Sequence, residues 1–166
     1  MGKWYSLAKA STCPYWLKQK GDSAVGTLLL DKQTSANTIS VTKTKSRQGI
    51  CKQSSDEYQL RQTPGRFQYY FSPCDADVDM YVVDTDYDGY ALVVEHKHKH
   101  NSDKIILFVS LYGRTPVLPE ASMETFRRVV TEQGMTEDHI GIQKNKGECS
   151  PGDVVIPDKP DTPDTP

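Results

Sequence analysis

Hydrophobic and polar residues alternate in short segments that recur about every ten residues, between clusters of Gly, Pro, Asn and Asp. In the clearest segment, Phe67, Tyr69 and Phe71 fall on one face. Gln68 and Tyr70 fall on the other face, which is typical of a β-strand with one buried side. We therefore predict eight strands, at residues 4–7, 24–30, 38–45, 50–60, 67–71, 78–83, 90–96 and 105–112.

The spacing of apolar residues changes to a helical one in residues 119–133. Met123, Phe126 and Val129 recur there on one helical face, and Gly134 follows where a helix can end. This pattern predicts one amphipathic helix, with its apolar face packed against the outside of the strands.

Antiparallel strands joined by short turns close into an up-and-down barrel, because closure leaves no unpaired sheet edge. Asp88-Gly89 predicts a tight hairpin between the sixth and seventh strands. We expect an all-β fold in residues 1–150, namely an eight-stranded antiparallel up-and-down barrel with one C-terminal helix outside it. Residues 140–142 are expected to add a short strand, and the Pro-rich residues 151–166 to form a disordered tail or linker. A barrel of this size holds one small ligand, so the fold predicts binding before catalysis.

Composition excludes some partners. The 166 residues suit a single domain, and 20 basic against 22 acidic residues give a net charge of −2 with no basic stripe. Nucleic acid is therefore not an expected partner. The longest apolar run, residues 105–109, is far shorter than the roughly 20 residues of a membrane span, so no transmembrane segment is expected.

Three short segments carry a more specific signal: Gly2-x-Trp4 at a strand start, the turn Thr85-Asp86-Tyr87, and Arg114 after the last strand. The Arg114 guanidinium is expected to stack on the Trp4 ring at the closed end of the barrel. In this order the segments resemble the signature of the lipocalin family, and the resemblance covers residues 2–150.

Within this family the sequence most resembles members that are released from a precursor carrying a Kunitz-type protease inhibitor as well. The residues that carry this resemblance are Gly2-Lys3-Trp4-Tyr5, Ser11-Thr12-Cys13-Pro14, Tyr81-Val82-Val83, Leu111-Tyr112-Gly113-Arg114 and Gly147-Glu148-Cys149. The resemblance implies a secreted plasma protein that binds haem and other small hydrophobic or aromatic ligands. It also implies a Cys51–Cys149 disulfide, a radical-scavenging thiol at Cys13, and Lys97 as a site that tunes this thiol and carries adducts.

Strand parity places Cys13 without reference to relatives. If Trp4 marks the closed end, the loop that holds Cys13 lies at the open end, together with Cys74 and the turn after the seventh strand. We expect a free, exposed thiol there, which nearby lysines such as Lys97 would shift toward the thiolate. The alternative is an inert Cys13–Cys74 disulfide. An exposed thiol at this position would also be able to form disulfides with other plasma proteins.

Three histidines alternate at the end of the seventh strand. His96, His98 and His100 should project from one face about 6–7 Å apart, and Lys97 from the other. We take His98 and His100, with Cys13, as candidate ligands of a haem iron. The alternative is a solvated, pH-sensitive hairpin tip.

The leading hypothesis is therefore a secreted, haem-binding and radical-scavenging lipocalin with reductase-like activity from Cys13. The alternative is a passive carrier of a small hydrophobic ligand, with structural cysteines only. A dedicated enzyme is not expected: enzymes of this family use a cysteine early in the second strand, and Thr27 stands at the matching position. The sequence offers no Ser/His/Asp set, phosphate loop or paired-carboxylate motif for another reaction.

Overall fold

Eight antiparallel strands form one closed barrel. The computed structural model describes residues 2–19, 25–32, 37–47, 50–71, 75–86, 89–100, 102–117, 120–143 and 154–155. Each strand pairs with its neighbours in sequence, and pairing of β1 with β8 closes the ring. The eight strands are β1 (Gly2–Ser11), β2 (Gly26–Lys32), β3 (Thr38–Arg47), β4 (Ile50–Leu60), β5 (Arg66–Phe71), β6 (Ala76–Thr85), β7 (Tyr90–Lys99) and β8 (Ile105–Gly113). The predicted fold class and strand order are confirmed.

Strand alternation separates a barrel interior from an outer face. The interior holds Val41, Tyr58, Tyr69 and Val78, and partly buried apolar side chains from four strands pack against them. The strands β1 and β7 extend further than predicted, to Ser11 and Lys99. Their polar ends carry no apolar alternation, but they pair with β8 and β6 and so remain in the sheet.

The predicted helix is present as α2 (Glu120–Glu132). Its buried residues include Met123, Phe126 and Val129, which form one cluster with outward-facing residues of β7 and β8. Phe126 is fully buried, and burial of such a side chain stabilises the fold by roughly 1.5–3 kcal/mol. Gly134 follows with a φ of +84°, a conformation that suits glycine and ends the helix as predicted.

The described residues also contain four shorter elements, one of which is a 3₁₀ helix at Glu137–His139. Another is a six-residue helix, α1 (Pro14–Gln19), which the sequence analysis missed because so short a segment shows no periodicity. The strand β9 (Ile140–Ile142) was predicted, and it pairs with the upper half of β1. The strand β10 (Val154–Val155) pairs in parallel with β4 at Cys51 and Lys52. The prediction of disorder throughout residues 151–166 is therefore wrong for these two valines, because the edge of β4 offers them backbone partners.

The signature segments seal one end of the barrel. The Arg114 guanidinium carbon lies 3.6 Å from the centroid of the Trp4 ring, and Arg114 Nη1 donates to the Lys3 carbonyl at 3.0 Å. Gly2 has a φ of +85°, and a Cβ at this position would lie 3.3 Å from Arg114 Nη1. Thr85 Oγ1 donates to the Tyr90 carbonyl at 2.7 Å. The predicted stacking of Arg114 on Trp4 is confirmed.

In the neighbouring turn, Asp86 Oδ1 accepts the backbone N–H groups of Gly89 and Tyr90 at 2.7 and 2.9 Å. These bonds hold the connection between β6 and β7 at the sealed end of the barrel. Tyr87, the last residue of the predicted signature turn, lies outside the described residues. In the part of the chain that the structure describes, no helix is long and apolar enough to cross a membrane.

Candidate functional site

Three lysines meet inside the barrel. Lys9 on β1, Lys43 on β3 and Lys97 on β7 project from alternate positions of their strands into its interior. Lys97 is buried, whereas Lys9 and Lys43 are half-buried. We call Lys9, Lys43 and Lys97 the lysine cluster. From the sequence, Lys97 was predicted as a site residue and Lys9 only as a lysine within reach of Cys13, whereas Lys43 was not predicted.

Aromatic rings line the lysine cluster. Lys97 Nζ lies 4.1 Å from the Phe71 centroid and 4.6 Å from the Phe108 centroid. Lys43 Nζ lies 5.7 Å from the ring centroid of Tyr58 and 5.3 Å from that of Tyr69. Such positions allow cation–π attraction, which is strongest where water is excluded.

The rings around the cluster are fixed by their own contacts. Tyr58 and Tyr69 stack with their centroids 4.3 Å apart, and the Tyr69 hydroxyl donates to Glu95 Oε2 at 2.9 Å. Burial, followed by the charge of Glu95, raises the pKa of Tyr69 well above its usual value. The hydroxyl therefore stays protonated, and Glu95 keeps a fixed donor.

The barrel interior shifts the pKa values of Lys9 and Lys43 in opposite directions. Burial, followed by the positive charge of Lys45, lowers the pKa of Lys9 to about 8. Burial also opposes the charge of Lys43, but Tyr58 and Glu95 outweigh it and raise the pKa of Lys43. Since tyrosine hydroxyls are neutral at physiological pH, Glu95 is the partner that holds the Lys43 charge there. Lys43 is thus a permanent cation, while Lys9 exists partly as a free amine.

Cys13 is a free thiol, but it is not exposed. Only 3 % of its surface is accessible, because it packs with Trp16, Ile106 and Phe108. Its N–H donates to Ser11 Oγ at 2.9 Å, and the Trp16 indole N–H donates to the His139 carbonyl at 2.9 Å. The expectation of an exposed, mobile loop is wrong, because α1 begins at Pro14 and lays Trp16 against the thiol.

The thiol and the lysine cluster share aromatic neighbours. Lys9 Nζ lies 5.7 Å from the ring centroids of both Trp16 and Phe108, and these rings belong to the apolar cluster around Cys13. Lys97 approaches Phe108 as well. Through Phe108, Lys97 therefore borders the apolar cluster that contains Cys13. The alternative of a Cys13–Cys74 disulfide does not hold, since Cys13 is unbonded; Cys74 itself lies outside the described residues.

The histidines lie on the outer face of the barrel. His98 Nε2 lies 3.5 Å from Asp79 Oδ2, and His100 lies 3.1 Å from Asp75 and 2.9 Å from Asp77. The hydrogen bond to Asp77 raises the pKa of His100. The three histidines share one face of β7, as predicted. The helix α2 packs against the lower part of this face, which is therefore the outer face of the barrel. The opposite face of β7 lines the interior.

This placement corrects the predicted iron site. His98 and His100 do not come together with Cys13, because the wall of the barrel separates them. Among the described residues, no group of three or more His, Cys, Asp or Glu side chains has the geometry of a metal site.

Cys51 is disulfide-bonded, and its partner lies outside the described residues. The register of β10 places Val154 opposite Cys51, which brings the C-terminal segment to this strand. Cys149 belongs to that segment but also lies outside the described residues, so the Cys51–Cys149 pairing stays a prediction.

Comparison with known proteins gives consistent relatives. The model of the lipocalin / cytosolic fatty-acid binding protein family matches residues 1–146. The chain is 41 % identical over 155 residues to Protein AMBP of Pleuronectes platessa, covering 93 % of this chain and 43 % of that protein. Identity to Protein AMBP of Rattus norvegicus is 39 % over 155 residues, covering 93 % of this chain and 44 % of the relative. The chain thus spans less than half the length of these relatives. The lipocalin that the sequence was found to resemble most, alpha-1-microglobulin, is confirmed as its relative.

More distant relatives share the fold. The extracellular fatty acid-binding protein of Gallus gallus is 26 % identical, covering 92 % of this chain and 83 % of that protein. The structure of the siderocalin Ex-FABP superimposes with a TM-score of 0.75 at 20 % identity, covering 90 % of this chain and 97 % of that one. A second siderocalin gives a TM-score of 0.73 at 23 % identity, covering 90 % and 91 % of the two chains. These structural likenesses support the barrel architecture alone.

Proposed function

Because this chain belongs to the lipocalin family of small-ligand-binding barrels, we propose that its interior binds a small aromatic anion, with haem as the specific ligand. The observation that carries the proposal is the lysine cluster. Its three ammonium groups face aromatic rings inside a closed barrel.

Charge balance favours an anionic ligand. Among the described residues, Glu95 and Asp56 are the carboxylates that act on Lys43, and burial raises the pKa of Asp56. The ammonium groups attract negative charge, so an anion that enters the barrel gains more than a neutral ligand of the same shape. The rings of Tyr58, Phe71 and Phe108 supply apolar faces for a planar ligand.

Haem meets both requirements, since it combines a planar ring with two propionate groups. Lys43 and Lys97 would pair with the propionates. Of the predicted iron ligands, Cys13 is the one that borders the interior, through Phe108, whereas His98 and His100 are paired with aspartates outside. We therefore propose Cys13 as the ligand of the haem iron. His98 and His100 are not assigned to the iron.

The test compares haemin with its dimethyl ester, which lacks the carboxylate charges. In an absorbance titration, wild type should bind haemin at least tenfold more tightly than the ester. Lys43→Gln should reduce this difference to about twofold, while Lys3→Gln, an exposed lysine at the sealed end, should preserve it. Equal affinities for haemin and ester in wild type would contradict the proposal.

The second part of the proposal concerns the thiol. Cys13 is free and borders the ring that Lys97 and Lys9 also approach, so we assign radical scavenging and reductase-like activity to it. Reduction of a stable organic radical cation should lose most of its fast phase in Cys13→Ser. Equal fast phases in wild type and Cys13→Ser would favour the passive carrier.

We also propose that the protein is secreted and that it is released from a longer precursor. The disulfide at Cys51 is typical of oxidising compartments, and the chicken relative is named as extracellular. The chain covers under half of the AMBP relatives, and we assign a Kunitz-type inhibitor to a longer precursor. Disulfide exchange at Cys13 with plasma proteins requires movement of α1, because Trp16 covers the thiol.

A further inference from the structure

We propose that Lys9 forms a reversible imine with an aromatic aldehyde that enters the barrel. This inference deepens the proposed binding of aromatic anions, on which it rests. Neither the family resemblance nor the comparisons assign any role to this residue.

The amine is recessed but reachable. Lys9 projects into the barrel from β1, between Ala8 and Ala10, which pack under α2 on the outer side. Its Nζ lies 5.7 Å from the centroids of Trp16 and Phe108, so an aromatic ligand at this amine meets two rings. The Lys9 side chain is half-buried, which leaves part of its surface open to a ligand.

The surrounding charges favour the neutral, nucleophilic form. The ammonium groups of Lys43 and Lys45 on β3 and of Lys97 on β7 face Lys9, and Glu95 on β7 is the carboxylate that opposes them. With a pKa of about 8, set first by burial, about one fifth of Lys9 is neutral at pH 7.4. An ordinary lysine of pKa about 10.4 is about 0.1 % neutral at that pH. Lys9 is therefore at least a hundredfold richer in free amine.

The reaction needs no external oxidant or reductant. The Lys9 nitrogen lone pair attacks the carbonyl carbon, and the carbonyl oxygen takes up the proton that the nitrogen loses, giving a carbinolamine. Loss of the hydroxyl group with a second proton as water forms the C=N bond. One amine and one aldehyde thus give one imine and one water. When the imine is protonated it keeps the positive charge of the ammonium, and Glu95 continues to stabilise that charge.

The test uses the full chain with p-formylcinnamic acid, an aromatic anion that carries an aldehyde. Cyanoborohydride converts the imine to a stable amine, and peptide mapping locates the label. We expect close to one label per chain, at Lys9, with a rate that rises between pH 7 and pH 9 around a midpoint of about 8. Lys9→Arg should remove at least 90 % of it, whereas Lys3→Arg, at the exposed lysine of the sealed end, should keep it on Lys9.

Cinnamic acid, which has no aldehyde, separates the two proposals. If cinnamic acid quenches the tryptophan fluorescence of wild type and of Lys9→Arg, but the aldehyde leaves Lys9 unlabelled, the imine proposal is overturned and the binding proposal stands. If neither compound binds, both proposals fail. Labels spread evenly over exposed lysines would also overturn the inference.

Discussion

Lys9 and Lys43 are the same residue type inside the same barrel, yet their charged forms differ in stability. Both amines are withdrawn from bulk water, which disfavours the ammonium in each case. Lys43 has Tyr58 and Glu95 beside it, whereas Lys9 faces three other ammonium groups. Residue identity alone therefore does not determine which lysine acts as a cation and which as an amine; the neighbours decide it.

We predict that Lys9→Met stabilises the protein at neutral pH. The folded-state pKa of about 8 lies below the unfolded value, so charged Lys9 destabilises the fold below pH 8. This penalty is relieved as pH rises from 8 to about 10.5, where the unfolded chain also loses the proton. Urea unfolding at pH 7 should show a gain of roughly 1–3 kcal/mol, which shrinks by pH 10. A gain that is independent of pH would contradict the charge argument, and Lys3→Met serves as the exposed control.

His100 provides a second prediction for a single residue. Its hydrogen bond to Asp77 raises its pKa, so the bond stabilises the fold below the unfolded value of about 6.5. This stabilisation is lost as pH rises through the folded value. Asp77→Asn should therefore shift the NMR titration of His100 to lower pH, and its cost in stability should disappear as pH rises through the folded pKa of His100. Asp79→Asn, next to His98, should leave the His100 titration unchanged.

Among the elements, the short helix α1 has the largest consequence for function. Its six residues place Trp16 over Cys13, and the bond from the Trp16 indole to His139 ties the helix to the segment before β9. A loop of the same length without Trp16 would leave the thiol open to solvent. The accessibility of Cys13 is thus a property of α1 and not of the cysteine itself.

Removal of the Trp16 side chain should expose the thiol. We predict that Trp16→Ala increases the rate of Cys13 modification by an aromatic disulfide reagent at least tenfold, because the indole covers the sulfur and holds α1. Leu17→Ala is the matched control, since Leu17 lies in the same helix and is 38 % exposed. Equal acceleration by both variants would show that α1 opens as a whole, independently of Trp16.

For the whole molecule, local sequence patterns were enough to predict the barrel. They did not predict which side chains line its interior. Alternation in β5 and the helical spacing of Met123 and Phe126 depend on near neighbours, and both predictions are confirmed. On β7 the same reasoning gave no indication of the interior, because α2 buries the outer residues Leu92 and Val94 and the inner face carries Glu95 and Lys97. Polar residues normally mark solvent, so strands that are covered on both sides hide a charged interior from sequence analysis.

The disulfide at Cys51 acts on the molecule as a whole, since β10 brings a distant part of the chain beside β4. If its partner is Cys149, the bond closes a loop of nearly a hundred residues. Such a loop is worth about 4.7 kcal/mol in the chain-entropy model. We predict that Cys51→Ser lowers the Tm by about 10 °C and leaves haemin affinity within twofold, because the lysine cluster does not involve this edge.

The comparison for this prediction is Cys13→Ser, which removes no disulfide and should lower the Tm by much less. Alkylation of unfolded Cys51→Ser under non-reducing conditions identifies the partner that has lost its bond. A new reactive thiol at Cys149 supports the predicted pairing. A new thiol at Cys74 instead would assign the bond to the loop between β5 and β6, and the stabilisation would then come from a loop of about twenty residues, worth nearer 3 kcal/mol.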